Sequence, residues 1–120
     1  MKAKKIITIV VTVLAVGMAA LSGIMKFVGG AEIVAAMDKV GVGQYRIMLG
    51  MMEITFATLF AFPKTMKMGF ILLSCYFAGA LATELSHGTP FNALTPLILV
   101  WVAAFLRDRS IFLPVATNGN

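Results

Sequence analysis

Residues 44–62 read QYRIMLGMMEITFATLFAF, and Pro63 follows directly. Beyond Arg46 this membrane-length run carries a single charge, Glu53, among apolar and small neutral residues. A carboxylate in hydrocarbon costs roughly 2.5 kcal/mol or more on insertion scales, so it is kept only where partners are supplied. The stretch therefore predicts a membrane helix whose acid faces a polar group on a neighbouring helix.

Composition supports a lipid environment. The chain has 120 residues, 60% hydrophobic and 12% charged, whereas about a quarter of a soluble domain is charged. One domain is expected from that length. A net charge of +5 would also suit nucleic acid. However, the basic residues flank apolar runs, which is how membrane orientation is written, so the expected partner is the bilayer and not nucleic acid. A lone Cys75 excludes an intramolecular disulfide, a CxxC pair and a cysteine zinc site, leaving a small packing residue.

Working outward, residues 6–26 form a first apolar run closed by Lys26, long enough to cross a bilayer. Lys2, Lys4 and Lys5 precede it, and Ala20-Leu21-Ser22 would pass as a signal-peptidase site. The run exceeds the usual signal h-region, so a retained span is the reading adopted. Further spans are predicted at 44–62, 66–85 and 91–106, with a polar tail from 107 to 120. Pro90 suits the entry of the last span, and Pro96 is expected to kink it.

Short connections make neighbouring spans antiparallel. Lys2, Lys4, Lys5, Lys64, Lys67, Arg107 and Arg109 then share one side, against Lys26, Lys39 and Arg46 on the other. Seven against three predicts an all-α, four-helix integral membrane bundle with both termini in the cytoplasm. Its expected home is the cell membrane, multi-pass, the bacterial inner membrane in particular. Between spans one and two, residues 29–43 place Ile33, Val34, Met37 and Val40 on one helical stripe. This fits either a short amphipathic helix on the outer interface or a capping loop.

Polar residues gather at that outer side. Ala15, Ala19, Ser22 and Lys26 share one helix face, as do Arg46, Gly50, Glu53 and Ala57. The third span contributes Tyr76, Ala80, Thr83 and His87, with Glu84 beside them, and Asn92 opens the fourth. At 1.5 Å per residue, Glu53 lies roughly 10 Å deeper than Arg46. Two cations, Lys26 and Arg46, thus face two carboxylates, Glu53 and Glu84. Glu53 is expected to pair with one of the cations. The candidate cluster is Ser22, Lys26, Arg46, Gly50, Glu53, Tyr76, Thr83, Glu84, His87 and Asn92. Either these groups lock the bundle, or they line a pocket open to the outer leaflet. Ala19, Gly50 and Ala80 would leave room for a ligand there.

Gly-rich phosphate loops, HExxH and GxSxG are absent from the sequence. Haem ligation would need axial histidines in the spans, and His87 is the one histidine. Neither haem nor a metal is expected, and no catalytic residue is assigned. Nine methionines read as apolar filler, without a Met-x-Met cluster for copper.

Three pieces of the chain resemble the DoxX-like family of small four-span membrane proteins. They are Leu21-Ser22-Gly23-Ile24-Met25-Lys26-Phe27, Leu49-Gly50-Met51-Met52-Glu53-Ile54, and Ala78-Gly79-Ala80 followed by Glu84 and His87. The resemblance covers about residues 10–108, and it implies that Lys26 and Glu53 are the central polar residues. Some relatives are membrane subunits of thiosulfate-quinone oxidoreductases, and distant ones are chaperones of receptor assembly. The resemblance thus implies a membrane component beside an oxidoreductase, its pocket taking a quinone or another small amphiphile. A membrane or redox protein partner would follow, and a homo-oligomer is compatible with the chain. An assembly factor is the alternative, and a small-molecule transporter ranks below both, because Lys26 would repel cationic drugs.

Overall fold

The first proline in the chain is Pro63, so nothing interrupts the apolar N-terminal run. In the computed structural model, which describes residues 2–113, it forms one long helix, α1 (Lys2–Val28). Gly29 stops it at φ +77°, a left-handed conformation that glycine adopts without strain, and its N–H reaches Met25 O at 2.9 Å. Gly30 then opens α2 (Ala31–Lys39) and Gly41 closes it at φ +79°. Of the two sequence readings for this segment, the short helix is the one found. Met37 is buried, with Ile33, Val34 and Val40 half-buried beside it.

A 3₁₀ turn at Gly43–Tyr45 leads into α3 (Arg46–Ala61). Phe62 is extended, as a residue before proline prefers, and a 3₁₀ turn at Pro63–Thr65 leads into α4 (Met66–Ser86). The last long helix, α5, runs Leu94–Arg107, followed by a 3₁₀ turn at Arg109–Ile111. Residues 91–93 turn, so α5 starts three residues later than expected. Pro96 consequently falls in its first turn, where the missing N–H would have had no helical partner anyway. The expected kink at Pro96 is therefore replaced by a helix start. Of the polar tail expected from residue 107, residues 114–120 lie outside the described residues.

The four long helices pack in a ring, α1 on α3, α3 on α4, α4 on α5, and α5 back on α1. Small residues bring the backbones close: Ala15, Ala19 and Gly23 on α1, Gly50 and Ala57 on α3, Ala103 and Ala104 on α5. Such faces are what helix association in lipid relies on. A side chain added at Gly23 would lie 2.8 Å from Gly50 O, and one at Gly50 would lie 2.7 Å from Gly23 O. The α1–α3 crossing is thus backbone on backbone. Phe60, Leu73 and Val100 fill the centre.

Outside, the surface is apolar. Ile6, Ile7, Ile9, Val10, Val13 and Leu14 of α1 are all more than half exposed. Soluble proteins rarely expose contiguous apolar surface on this scale. Two helical segments are long and apolar enough to cross a membrane, Lys2–Val28 and Pro63–Ser86. The other two are shorter: α3 has 16 residues and α5 has 14, about 24 and 21 Å of helix.

Candidate functional site

On α4 the buried positions are Met66, Gly69, Phe70, Leu73 and Phe77, and none follows Phe77. Beyond that point α4 is at most half-buried, with Ala80 and Leu81 still packed against the core. Beside this stretch lies a cavity of about 590 Å³, lined from α1, α2, α4 and the entry to α5, with Leu49 of α3. Ser22 and Lys26 form one wall, and Tyr76, Ala80 and Thr83 form the facing one. Met37, Lys39 and Val42 close it from the α2 side.

Glu53 stands behind this cavity with no exposed surface, whereas the Lys26 side chain keeps 20% exposure. Lys26 Nζ donates to Glu53 Oε1 at 2.8 Å and to Ser22 Oγ at 2.7 Å. Ser22 Oγ in turn donates to Glu53 Oε1 at 3.2 Å. Ser22 and Lys26 are four apart on α1, so both reach the same carboxylate. Two of the three ammonium protons are spoken for, and the third has a route into the cavity. The Tyr76 ring lies 5.8 Å from Nζ and stabilises the cation further. Glu53 Oε2 is buried without a hydrogen-bond partner. A pair of opposite charges thus presents a donor to the cavity while remaining neutral as a unit.

Of the two expected cations, Lys26 holds Glu53 and Arg46 does not. Arg46 Nη1 donates instead to the carbonyls of Lys26 and Phe27, the latter at 3.1 Å. These acceptors are orphans at the C-terminus of α1, and a cation is favourable there. A side chain at Gly29 would run into the Arg46 guanidinium, a second reason for glycine at that position. Glu84 also has structural work: its Oε1 accepts from Ala93 N–H at 3.0 Å, capping the start of α5. It still lines the cavity, as does Asn92.

His87 is exposed and outside the cavity, its Nδ1–H donating to Thr83 O at 2.9 Å. Thr83 Oγ1 donates back to Gly79 O at 2.9 Å. Gly50 belongs to the helix crossing and leaves no room for a ligand, contrary to expectation, because Gly23 fills that space. Lys39 and Met37 were missed as wall residues, although the apolar stripe on residues 33–40 was the signal that this segment folds over something. Among the described residues no group of three His, Cys, Asp or Glu side chains gathers to hold a metal ion.

The sequence model of the DoxX-like family matches residues 10–106. The chain belongs to the DoxX-like family. The match runs from the first half of α1 to the penultimate residue of α5, so both Lys26 and Glu53 lie within it. DoxX-like membership and the two long apolar helices together mark this as a membrane-associated protein. No curated protein and no solved structure matches this DoxX-like chain.

Proposed function

We propose that this DoxX-like protein is a four-span membrane component that binds a neutral, carbonyl-bearing amphiphile, a quinone being the type, beside an oxidoreductase. The observation that carries this reading is the Lys26 ammonium, held by Glu53 and Ser22 at the wall of the cavity. Because Glu53 cancels its charge, an anionic ligand gains little there, while a carbonyl oxygen can accept the remaining proton. Tyr76, Phe77 and Met37 supply apolar walls for a ring or chain. A cavity of about 590 Å³ is of the size that small-molecule sites usually have.

In the four-span arrangement, α3 with its preceding turn and α5 cross as short helices, accommodated by local bilayer thinning. The basic ends face the cytoplasm and the cavity opens to the outer leaflet. A cytoplasm-active reporter fused after Asn120 should give signal, and one inserted between Asp38 and Lys39 should not. The opposite pattern would refute the orientation.

Mass spectrometry of the small-molecule extract of purified protein tests the ligand. A stoichiometric neutral carbonyl amphiphile is expected. Ala80→Phe, which fills the cavity away from the α1–α3 crossing, should abolish its retention while the protein still purifies and melts normally. An empty extract together with a co-purifying membrane-protein client would favour the assembly-factor reading instead.

A further inference from the structure

About 30 Å along α1 from Lys26, the opposite end of the molecule holds a second cavity, of about 570 Å³. Lys4, Lys5 and Arg107 line it, together with the apolar Ile9 and Leu106. Among the described residues the ion pairs are Lys26–Glu53 and Lys67–Asp108, so none of these three cations has a carboxylate partner. Asp108 also borders the cavity, but both its oxygens are engaged. Oδ1 accepts from the Ser110 N–H at 3.0 Å and from the Ser110 hydroxyl, and Oδ2 lies 3.6 Å from Lys67 Nζ.

Arg107 is fixed in place. It donates to Phe60 O at 2.5 Å and to Ala61 O at 3.2 Å, and its guanidinium lies 5.0 Å from the Phe60 ring centre. These bonds use two of its five N–H groups and leave others for an anion. Lys4 and Lys5 are exposed, with long stems able to close on the same anion. The exposed stripe Ile6, Ile9, Val10 and Val13 runs from this cavity along α1. A phosphate satisfies the cations, and only one carrying acyl chains also covers the stripe.

We propose that this cavity binds the phosphate group of an anionic phospholipid, with Arg107 as its fixed edge and Lys4 and Lys5 closing over it. The proposal draws on the membrane placement above and not on the ligand of the Lys26 cavity, so either can fail alone. Full-length protein in neutral detergent would be titrated with phosphatidylglycerol, with phosphatidylcholine of the same chains, and with inorganic phosphate. Retention is read by native mass spectrometry and stability by melting temperature.

Phosphatidylglycerol should be retained and raise the melting temperature, and phosphatidylcholine should do neither. Each exposed ion pair with the phosphate is worth up to roughly fivefold in affinity, so combined Lys4→Gln and Lys5→Gln should weaken binding by up to about 25-fold. Lys64→Gln is the control, since Lys64 lies in the turn that flanks this end but does not line the cavity. It should leave affinity nearly unchanged. Equal losses from Lys64→Gln and from a single lining lysine would indicate a diffuse basic field and overturn the site. Equal retention of the two lipids would overturn it as well. A thermal shift from inorganic phosphate matching that from phosphatidylglycerol would make the ligand a free phosphate and remove the lipid.

Discussion

Lys26→Met is expected to destabilise the protein by about 3–5 kcal/mol, the usual cost of removing one partner of a buried ion pair. Glu53→Gln should cost less. The asymmetry follows from exposure: Glu53 has none, whereas Lys26 retains 20% and borders a cavity. Without its acid, Lys26 keeps Ser22 and can swing toward the open space. Without its lysine, Glu53 is left with one oxygen already unpartnered and only the Ser22 hydroxyl on the other. It must then either take up a proton or remain an isolated charge. Combining Lys26→Met with Glu53→Gln should recover much of the loss, because no charge is then stranded. Reversible unfolding in mixed micelles would measure all three variants. Strictly additive losses, or a larger loss from Glu53→Gln, would show that the pair is not held as described.

Gly50→Leu should also be strongly destabilising, for a different reason. Its first added carbon would lie 2.7 Å from Gly23 O and 3.1 Å from Phe27 N, and backbone atoms cannot swing aside as side chains do. Overpacking typically costs about 1–3 kcal/mol, and a site without a yielding neighbour belongs at the upper end or beyond it. Forcing α1 away from α3 would also part Lys26 from Glu53, three residues on along each helix. Gly17→Ala is the internal control, since nothing lies within 4 Å of the added carbon. That change should be neutral or stabilise by up to about 1 kcal/mol, the helical advantage of alanine over glycine. Similar melting temperatures for Gly50→Leu and Gly17→Ala would refute the close crossing.

Helix periodicity made most of the fold legible before any coordinates. The start of α4 at Met66 and the burial of Ala15, Ala19, Glu53 and Ala57 follow from apolar and small residues recurring on one face. The Lys26–Glu53 contact was within reach for the same reason. What spacing could not decide was which cation took the acid. Arg46 and Lys26 were both available, and the choice turned on the uncapped carbonyls of α1, which drew the arginine away. Nor could spacing place the cavity, because its position depends on where α2 and the entry to α5 fold against α4. Pro96 illustrates the same limit: whether a proline kinks or starts a helix depends on three residues of turn ahead of it. Arg107, at the opposite end, had no sequence signal beyond its charge, since its acceptors are backbone oxygens 46 and 47 residues earlier.

Two arginines perform one task in this chain, and the order of synthesis gives that task a direction. The last carbonyls of α1 are satisfied by Arg46, which opens α3, and those of α3 by Arg107, which closes α5. Each helix therefore leaves the ribosome with its end unfinished and is completed by a side chain made later. The first cap can form only once Arg46 has been made, and the second only once the last helix has. A chain truncated before Arg107 would lack the donor for Phe60 O and Ala61 O, while Leu59 O would keep the hydroxyl of Thr65.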